Sequence, residues 1–230
     1  MAYRALTLPA IGIIIVAFFV LIIILAPLMI LGWIGRTLSQ FGLGWFTFLL
    51  FLMVSLVGST INIPIWRSKV KQVASSVRYV YFFGIPYPVP TMESRTLETI
   101  LSINFGGAIM PVILSAYLLL RNSGAVAPSA IAIAVVAFFL FFMAKPVQGI
   151  GIVTPMFIPP LIAAISAIII GGSYAPVVAY TSGTLGTLIG ADLFHLNSLK
   201  RLGAANMSIG GAGTFDGIFL TGLLAVLLAF

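Results

Sequence analysis

The sequence predicts an all-α polytopic membrane protein of about seven transmembrane helices, with a short cytoplasmic β-hairpin or interfacial loop. Three observations lead there. First, 61% of the 230 residues are hydrophobic and only 7% are charged, whereas a soluble domain carries about 25% charged residues. Second, several apolar runs approach or exceed the roughly 20 residues that span a bilayer. Third, with seven spans and a cytoplasmic N-terminus, Arg4, Arg67, Lys69, Lys71, Arg78, Arg95, Lys145, Lys200 and Arg201 fall on one side. Only Arg36 and Arg121 fall on the other. That split follows the positive-inside rule, which played no part in choosing the spans. The expectation is a single transmembrane domain over residues 1–230 in the cell membrane, its C-terminus outside.

The first run, Leu8 to Gly35, is interrupted only by Pro9 and Pro27. It exceeds a signal-peptide core of about 7–15 residues and reads as a retained helix. The second extends from about Gly44 to Ile65, with Asn62 and Pro64 marking its end. The third covers Leu101 to Leu120 and the fourth Val126 to Ala144. The remaining three are Met156 to Ile170, Ala175 to Leu193 and Ala212 to Phe230. No internal repeat is visible, so nothing marks an inverted-repeat transporter.

Residues 66–98 form a basic cytoplasmic loop. Within it, Arg78-Tyr-Val-Tyr-Phe-Phe-Gly-Ile-Pro-Tyr-Pro-Val-Pro90 pairs a β-branched and aromatic run with a Gly turn and a Pro-rich return. Prolines exclude a helix there, which leaves a hairpin or an interfacial segment. Tyr79 and Tyr81 either anchor this segment at the membrane surface or line an edge strand that receives an extended peptide.

Composition removes much chemistry. With no Cys and a single His, His195, the chain has no disulfide, no iron–sulfur cluster and no self-sufficient zinc site. Four carboxylates make a calcium cage implausible, and no cofactor is implied. The net charge of +7 reads as topology signals and contacts to anionic lipid headgroups rather than to nucleic acid.

Glu93 and Glu98 sit in or beside the polar loop, where water solvates them. Asp192 and Asp216 fall within predicted spans, where a charge costs at least about 2.5–3.5 kcal/mol and marks a functional site by default. The sixth helix ends near Asp192 and the seventh starts near Asp216, so both carboxyls sit near the cytoplasmic face at similar depth. Two carboxyls facing each other in low dielectric share a proton, which suits one as general base and the other as acid. The alternative is that Asp192 snorkels toward Lys200 or Arg201 and Asp216 caps its helix. His195, three residues after Asp192, reads as an interfacial residue or as a relay partner.

Glycines surround both acids. Gly183, Gly186 and Gly190 fall on one helix face, while Gly211, Gly213 and Gly217 loosen the start of the last helix. Small faces allow close backbone approach in lipid. Pro146, Gly149 and Gly151, in the connection Lys145–Pro155, line the same cavity as the acids or merely join two spans. Asn104, with Gly106, Gly107 and Pro111, kinks the third helix and places an amide inside the bundle.

The stretches Ala175-Pro-Val-Val-Ala-Tyr, Gly186-Thr-Leu-Ile-Gly-Ala-Asp192 and Ser208-Ile-Gly-Gly-Ala-Gly-Thr-Phe-Asp216-Gly-Ile-Phe resemble a family of archaeal and bacterial membrane proteins of unknown function. Lys145-Pro-Val-Gln-Gly-Ile-Gly-Ile fits that resemblance, which covers most of residues 100–230. A more distant likeness is to presenilin and signal-peptide peptidase, the intramembrane aspartyl proteases. Gly211-Ala-Gly213-Thr-Phe-Asp216 looks like their Gly-x-Gly-Asp motif with two residues inserted, and Ala191-Asp192 looks like their Tyr-Asp. That likeness implies that Asp192 and Asp216 hydrolyse membrane-embedded peptide substrates. Two other functions stay open: a proton- or cation-coupled transporter using the same acids, and a non-catalytic membrane scaffold. Substrate identity and oligomeric state are not encoded in any recognisable motif.

Overall fold

A computed structural model of the chain describes residues 8–82, 85–147, 151–199, 206–211 and 217–229. The apolar runs close their backbone hydrogen bonds as helices: α1 (Leu8–Ser39), α2 (Trp45–Gly58), α3 (Met110–Arg121), α4 (Val126–Met143), α5 (Ile158–Ile170), α6 (Ala175–Thr187) and α8 (Gly217–Leu228), with a single turn, α7 (Leu196–Leu199), before the last. π-helical turns precede α3 (Phe105–Ile109) and follow α6 (Leu188–Leu193). Among the described residues, Phe19–Ser39 and Ser123–Met143 are long and apolar enough to cross a membrane, at mean hydropathies of 2.3 and 2.5. The apolar helices Trp45–Gly58, Phe105–Arg121, Ile158–Ile170 and Gly217–Leu228 are shorter.

Alternate connections meet at opposite ends of the helices. At one end, the α1–α2, α3–α4 and α5–α6 turns converge. Asn122 Nδ2 donates to Phe41 O at 3.0 Å, Tyr117 OH to Gly42 O at 2.8 Å, and the rings of Phe41 and Tyr174 lie 6.3 Å apart. Arg36 and Arg121 belong to this end, the latter's guanidinium beside Gly42. Among the described residues, the roots of the two long strands, the short strand pair between α4 and α5, the turn after α6 and the start of α8 lie at the opposite end.

The centre of the bundle is α6, whose residues from Pro176 to Thr184 are all buried. Its glycines decide its neighbours. A Cβ on Gly186 would stand 2.6 Å from Val136 Cβ and one on Gly190 2.5 Å from Ala137 O, so these two seat α4. Gly183 instead rests on Thr221 and Ala225 of α8. The three glycines therefore serve two partners, not the one face expected from their spacing. Outward, the helices present large apolar side chains: Phe138, Phe139 and Phe142 on α4, Ile165, Ile168 and Ile169 on α5, all exposed.

The sheet departs most from expectation. The chain is not all-α, and the hairpin is not short: β1 (Asn62–Phe82) and β2 (Ile85–Asn104) pair antiparallel along their whole length. Twenty paired residues span about 66 Å at roughly 3.3 Å each. The second helix accordingly stops at Gly58, seven residues before the expected end, and the third begins only after Asn104. Ser59 and Thr60 turn their hydroxyls back onto Leu56 O and Val57 O, closing α2. Beyond them Ile61, Ile63 and Ile65 alternate with Asn62 and Pro64, a period of two that suits a strand. The register slips between Pro64 and Trp66, an irregularity where a proline is tolerated.

Pro86, Pro88 and Pro90 face Tyr81, Tyr79 and Val77. A residue without an N–H cannot sit at a hydrogen-bonded pair, so these three pairs are the non-bonded ones. The prolines turn their nitrogens to the outer edge of β2 and leave it without donors there. A third strand, β5 (Asn206–Ile209), joins β2 in parallel over Ile100–Ile103, giving the order β1-β2-β5. A separate two-stranded pair, β3 (Lys145–Val147) and β4 (Gly151–Val153), links α4 to α5.

Candidate functional site at the root of the hairpin

The hairpin is fastened to the helices by one buried amide. Asn104 is fully buried; its Nδ2 donates to Ser59 O at 2.6 Å and to Asn62 Oδ1 at 3.0 Å. Its Oδ1 accepts from Gly107 N at 2.7 Å, capping the π turn. Ser208 Oγ on β5 donates to Asn62 Oδ1 at 2.7 Å, and Ser55 Oγ of α2 to Gly106 O. The amide does lie inside the bundle, as expected, but it caps rather than kinks the helix. Gly106 and Gly107 are small because the backbones of Ser55 and Gly210 press against them. Gly210 and Gly211 follow β5 with φ of +84° and +91°, a left-handed path that glycine adopts without strain.

Beside this knot lies a small apolar cluster of Leu101, Ala108, Met207, Ile209 and Ile218, with Ile152, Leu188 and Leu196 packed on it. It collects the ends of β2, β5 and α8, the β3–β4 pair and the π turn after α6. Asp192 belongs to that π turn and is half-buried. Gly217 begins α8 with Thr154 Oγ1 beside it. The expected site residues Asp192, Gly211, Gly217, Pro146 and Gly151 thus sit on segments that gather at one end of the bundle. Asp216, Gly213 and Gly149 lie outside the described residues, as do Lys200 and Arg201. Tyr79 and Tyr81 belong elsewhere: they are largely exposed, and Tyr79 is thirteen residues along β1 from Trp66, about 43 Å of strand.

His195 is half-buried, with Nδ1 3.0 Å from Ala191 O and its ring 5.3 Å from that of Phe141. A ring nitrogen facing a carbonyl donates to it, so Nδ1 carries a proton. The contact anchors the helix end.

The α6–α8 contact sets the relative level of the site segments. Thr184 Oγ1 and Tyr180 lie over Gly222 and Gly183 meets Thr221 and Ala225, while Ile218 at the start of α8 packs in one apolar cluster with Leu188 just beyond the end of α6, so the two helices run antiparallel. Stepping back five residues from Gly222 to Gly217 corresponds to stepping forward five from Thr184 to Ile189. The start of α8 is therefore level with the π turn that carries Asp192.

Sequence reasoning overlooked a row of hydroxyls on α6. Tyr180, Thr184 and Thr187 are buried, and apart from a side-chain contact between Tyr180 and Thr184 their oxygens have no hydrogen-bond partner among the described residues. The spacing of four and three in an apolar helix was the available signal. Thr181, by contrast, is satisfied by Val177 O at 2.8 Å and Ser129 Oγ at 3.0 Å. Among the described residues no cluster of His, Asp and Glu could hold a metal ion.

A family model described as "Protein of unknown function (DUF1614)" matches residues 56–228. No curated protein and no solved structure matches the chain. The family match brings no tie to presenilin-type proteases.

Proposed function

The chain belongs to the DUF1614 family of proteins of unknown function, and from its bundle geometry we propose an integral membrane hydrolase. It crosses the bilayer seven times with the N-terminus inside, and Asp192 and Asp216 form its acid pair. The exposed aliphatic and phenyl side chains on α4 and α5 support the membrane part. In water such an envelope would aggregate. Only 28% of the α4 window and 11% of the α1 window are buried, which is unlike the core helix of a soluble protein. A reporter fused after Phe230 is expected to be active only outside the cell; activity inside would overturn the topology.

The observation that carries the catalytic part is the antiparallel α6–α8 contact, in which Ile218 at the start of α8 packs with Leu188 of the Asp192 turn. Asp216 is the residue directly before Gly217. One carboxylate takes a proton from water as its oxygen attacks the peptide carbonyl; the protonated partner donates to the carbonyl oxygen. Collapse breaks the C–N bond: the departing amine takes the proton held by the base, and one hydroxyl of the diol returns its proton to the partner carboxylate. The products are a carboxylic acid and an amine, with one water consumed. The substrate is a membrane-embedded peptide or protein segment, and surrounding lipid is the other partner.

The test is cleavage of a tagged transmembrane peptide by the purified protein in liposomes. Asp192→Asn and Asp216→Asn should each abolish it; an active double variant would sink the assignment. A proton- or cation-coupled transporter is the second reading, favoured by the row of buried hydroxyls on α6. It requires flux that responds to a pH gradient, with no peptide bond broken.

A further inference from the structure

We infer that Tyr180, Thr184 and Thr187 line a water path from the Asp192 end of the bundle toward its middle, along the α6–α8 seam. Three observations converge on it. All three hydroxyls are buried, Tyr180 and Thr184 completely and Thr187 to within 3%; Tyr180 and Thr184 have only each other's side chains, and Thr187 Oγ1 has no partner among the described residues. At positions i, i+4 and i+7 they share one helix face. That face meets α8 at its smallest residue, since Thr184 Oγ1 and Tyr180 both lie over Gly222.

The π turn extends the row. Its hydrogen bonds close five residues apart instead of four, so residue i+5 comes round beside residue i. Asp192 is five residues after Thr187 and thereby joins the hydroxyl face. From Thr187 to Tyr180 the path runs roughly 10 Å along the axis, at 1.5 Å per residue. An apolar interior would leave three hydroxyls unsolvated, and a buried polar group without a partner is retained only where something else hydrates it. Water is the occupant whose donors and acceptors match isolated hydroxyls and which enters from the polar end. This inference rests on the reading of the Asp192 end as the working site, because hydrolysis and proton transfer both need water delivered there.

The chain lacks cysteine, so accessibility is measured on single substitutions without background. Thr187→Cys, Thr184→Cys and Tyr180→Cys, reconstituted in vesicles, are treated with a charged methanethiosulfonate. Val178→Cys, buried on another face of α6, is the dry control. Modification follows the thiolate, which forms only where water reaches. The seam positions should react at least about tenfold faster than Val178→Cys, with Thr187→Cys the fastest. Rates equal to the control at all three overturn the path.

Hydroxyl-radical footprinting of the unsubstituted protein covers the case of a variant that does not fold. Oxidation of Tyr180 well above that of the equally buried Phe48 supports the path; equal protection of both overturns it. Accessible cysteines without peptide cleavage would remove the hydrolase and keep the path. Cleavage with a dry seam would do the reverse.

Discussion

Replacing Gly190 by alanine tests the packing at the heart of the bundle. The added methyl would stand 2.5 Å from Ala137 O and 2.7 Å from Ala137 Cα, both backbone atoms that no rotamer change can move. Carbon contacts settle at about 3.5–4.0 Å, so α4 and α6 must part by roughly 1 Å. A gap of that size forfeits about a quarter to a half of each dispersion contact across the seam. The losers are Ala132, Val136, Ala137 and Leu140, all buried on α4. Overpacking of this kind costs about 1–3 kcal/mol. At about 2–4 °C per kcal/mol for a chain of this size, the melting temperature should fall by roughly 2–12 °C. Thermal unfolding in nanodiscs reads the effect against Gly32→Ala, whose methyl meets nothing within 4 Å. That control should hold or gain, since alanine is favoured over glycine in a helix by up to about 1 kcal/mol. Equal melting temperatures for the two variants would refute the α4–α6 contact.

Three further outcomes follow from the same geometry. Asn104→Ala leaves Ser59 O and Gly107 N without their bonds, at about 1–3 kcal/mol for each group left unsatisfied; limited proteolysis should then cut at the hairpin root, and an unchanged digestion pattern would deny the amide its role. Val80→Pro should open the hairpin and Tyr79→Pro should not, because only the Val80–Tyr87 pair exchanges ladder bonds; backbone amide exchange distinguishes them, and equal effects would mean a different register. Asp192→Asn should abolish peptide cleavage while leaving the melting temperature close to that of the parent chain, so loss of fold together with activity would argue for a structural acid.

The helices were legible because a 61% hydrophobic chain with few charges leaves its apolar runs little choice. Their hairpin-side ends were not. Hydropathy carries the second span on to Ile65, although the alternation of Ile61, Ile63 and Ile65 with Asn62 and Pro64 has the period of a strand. The same holds for Leu101 and Ile103 between Ser102 and Asn104. β5 could not be read at all: four residues, Asn206–Ile209, are a strand only because β2, a hundred residues earlier, pairs with them. At the site, the closeness of the α6 glycines to a neighbouring helix was readable from spacing. The partners of each glycine were not, since spacing gives a face and only packing says what lies opposite.

The parallel pairing of β5 with β2 has a consequence for how the protein is made. Chains emerge from the ribosome N-terminus first, and domains fold as their parts become available. The hairpin can zip up as soon as α2 and β2 have left the ribosome, but its third strand is separated from it by α3 to α7. Ser208 reaches Asn62 only after the chain has passed through four more helices and one short turn. Until then the root of the hairpin keeps an open edge on β2 at Ile100–Ile103, and the Gly210–Gly211 turn has not yet docked on Gly107. Closing that edge coincides with the arrival of α8, so the sheet is completed only when the bundle is. A chain stalled or truncated before β5 would be marked by an unpaired strand at its root, available to a chaperone or a protease.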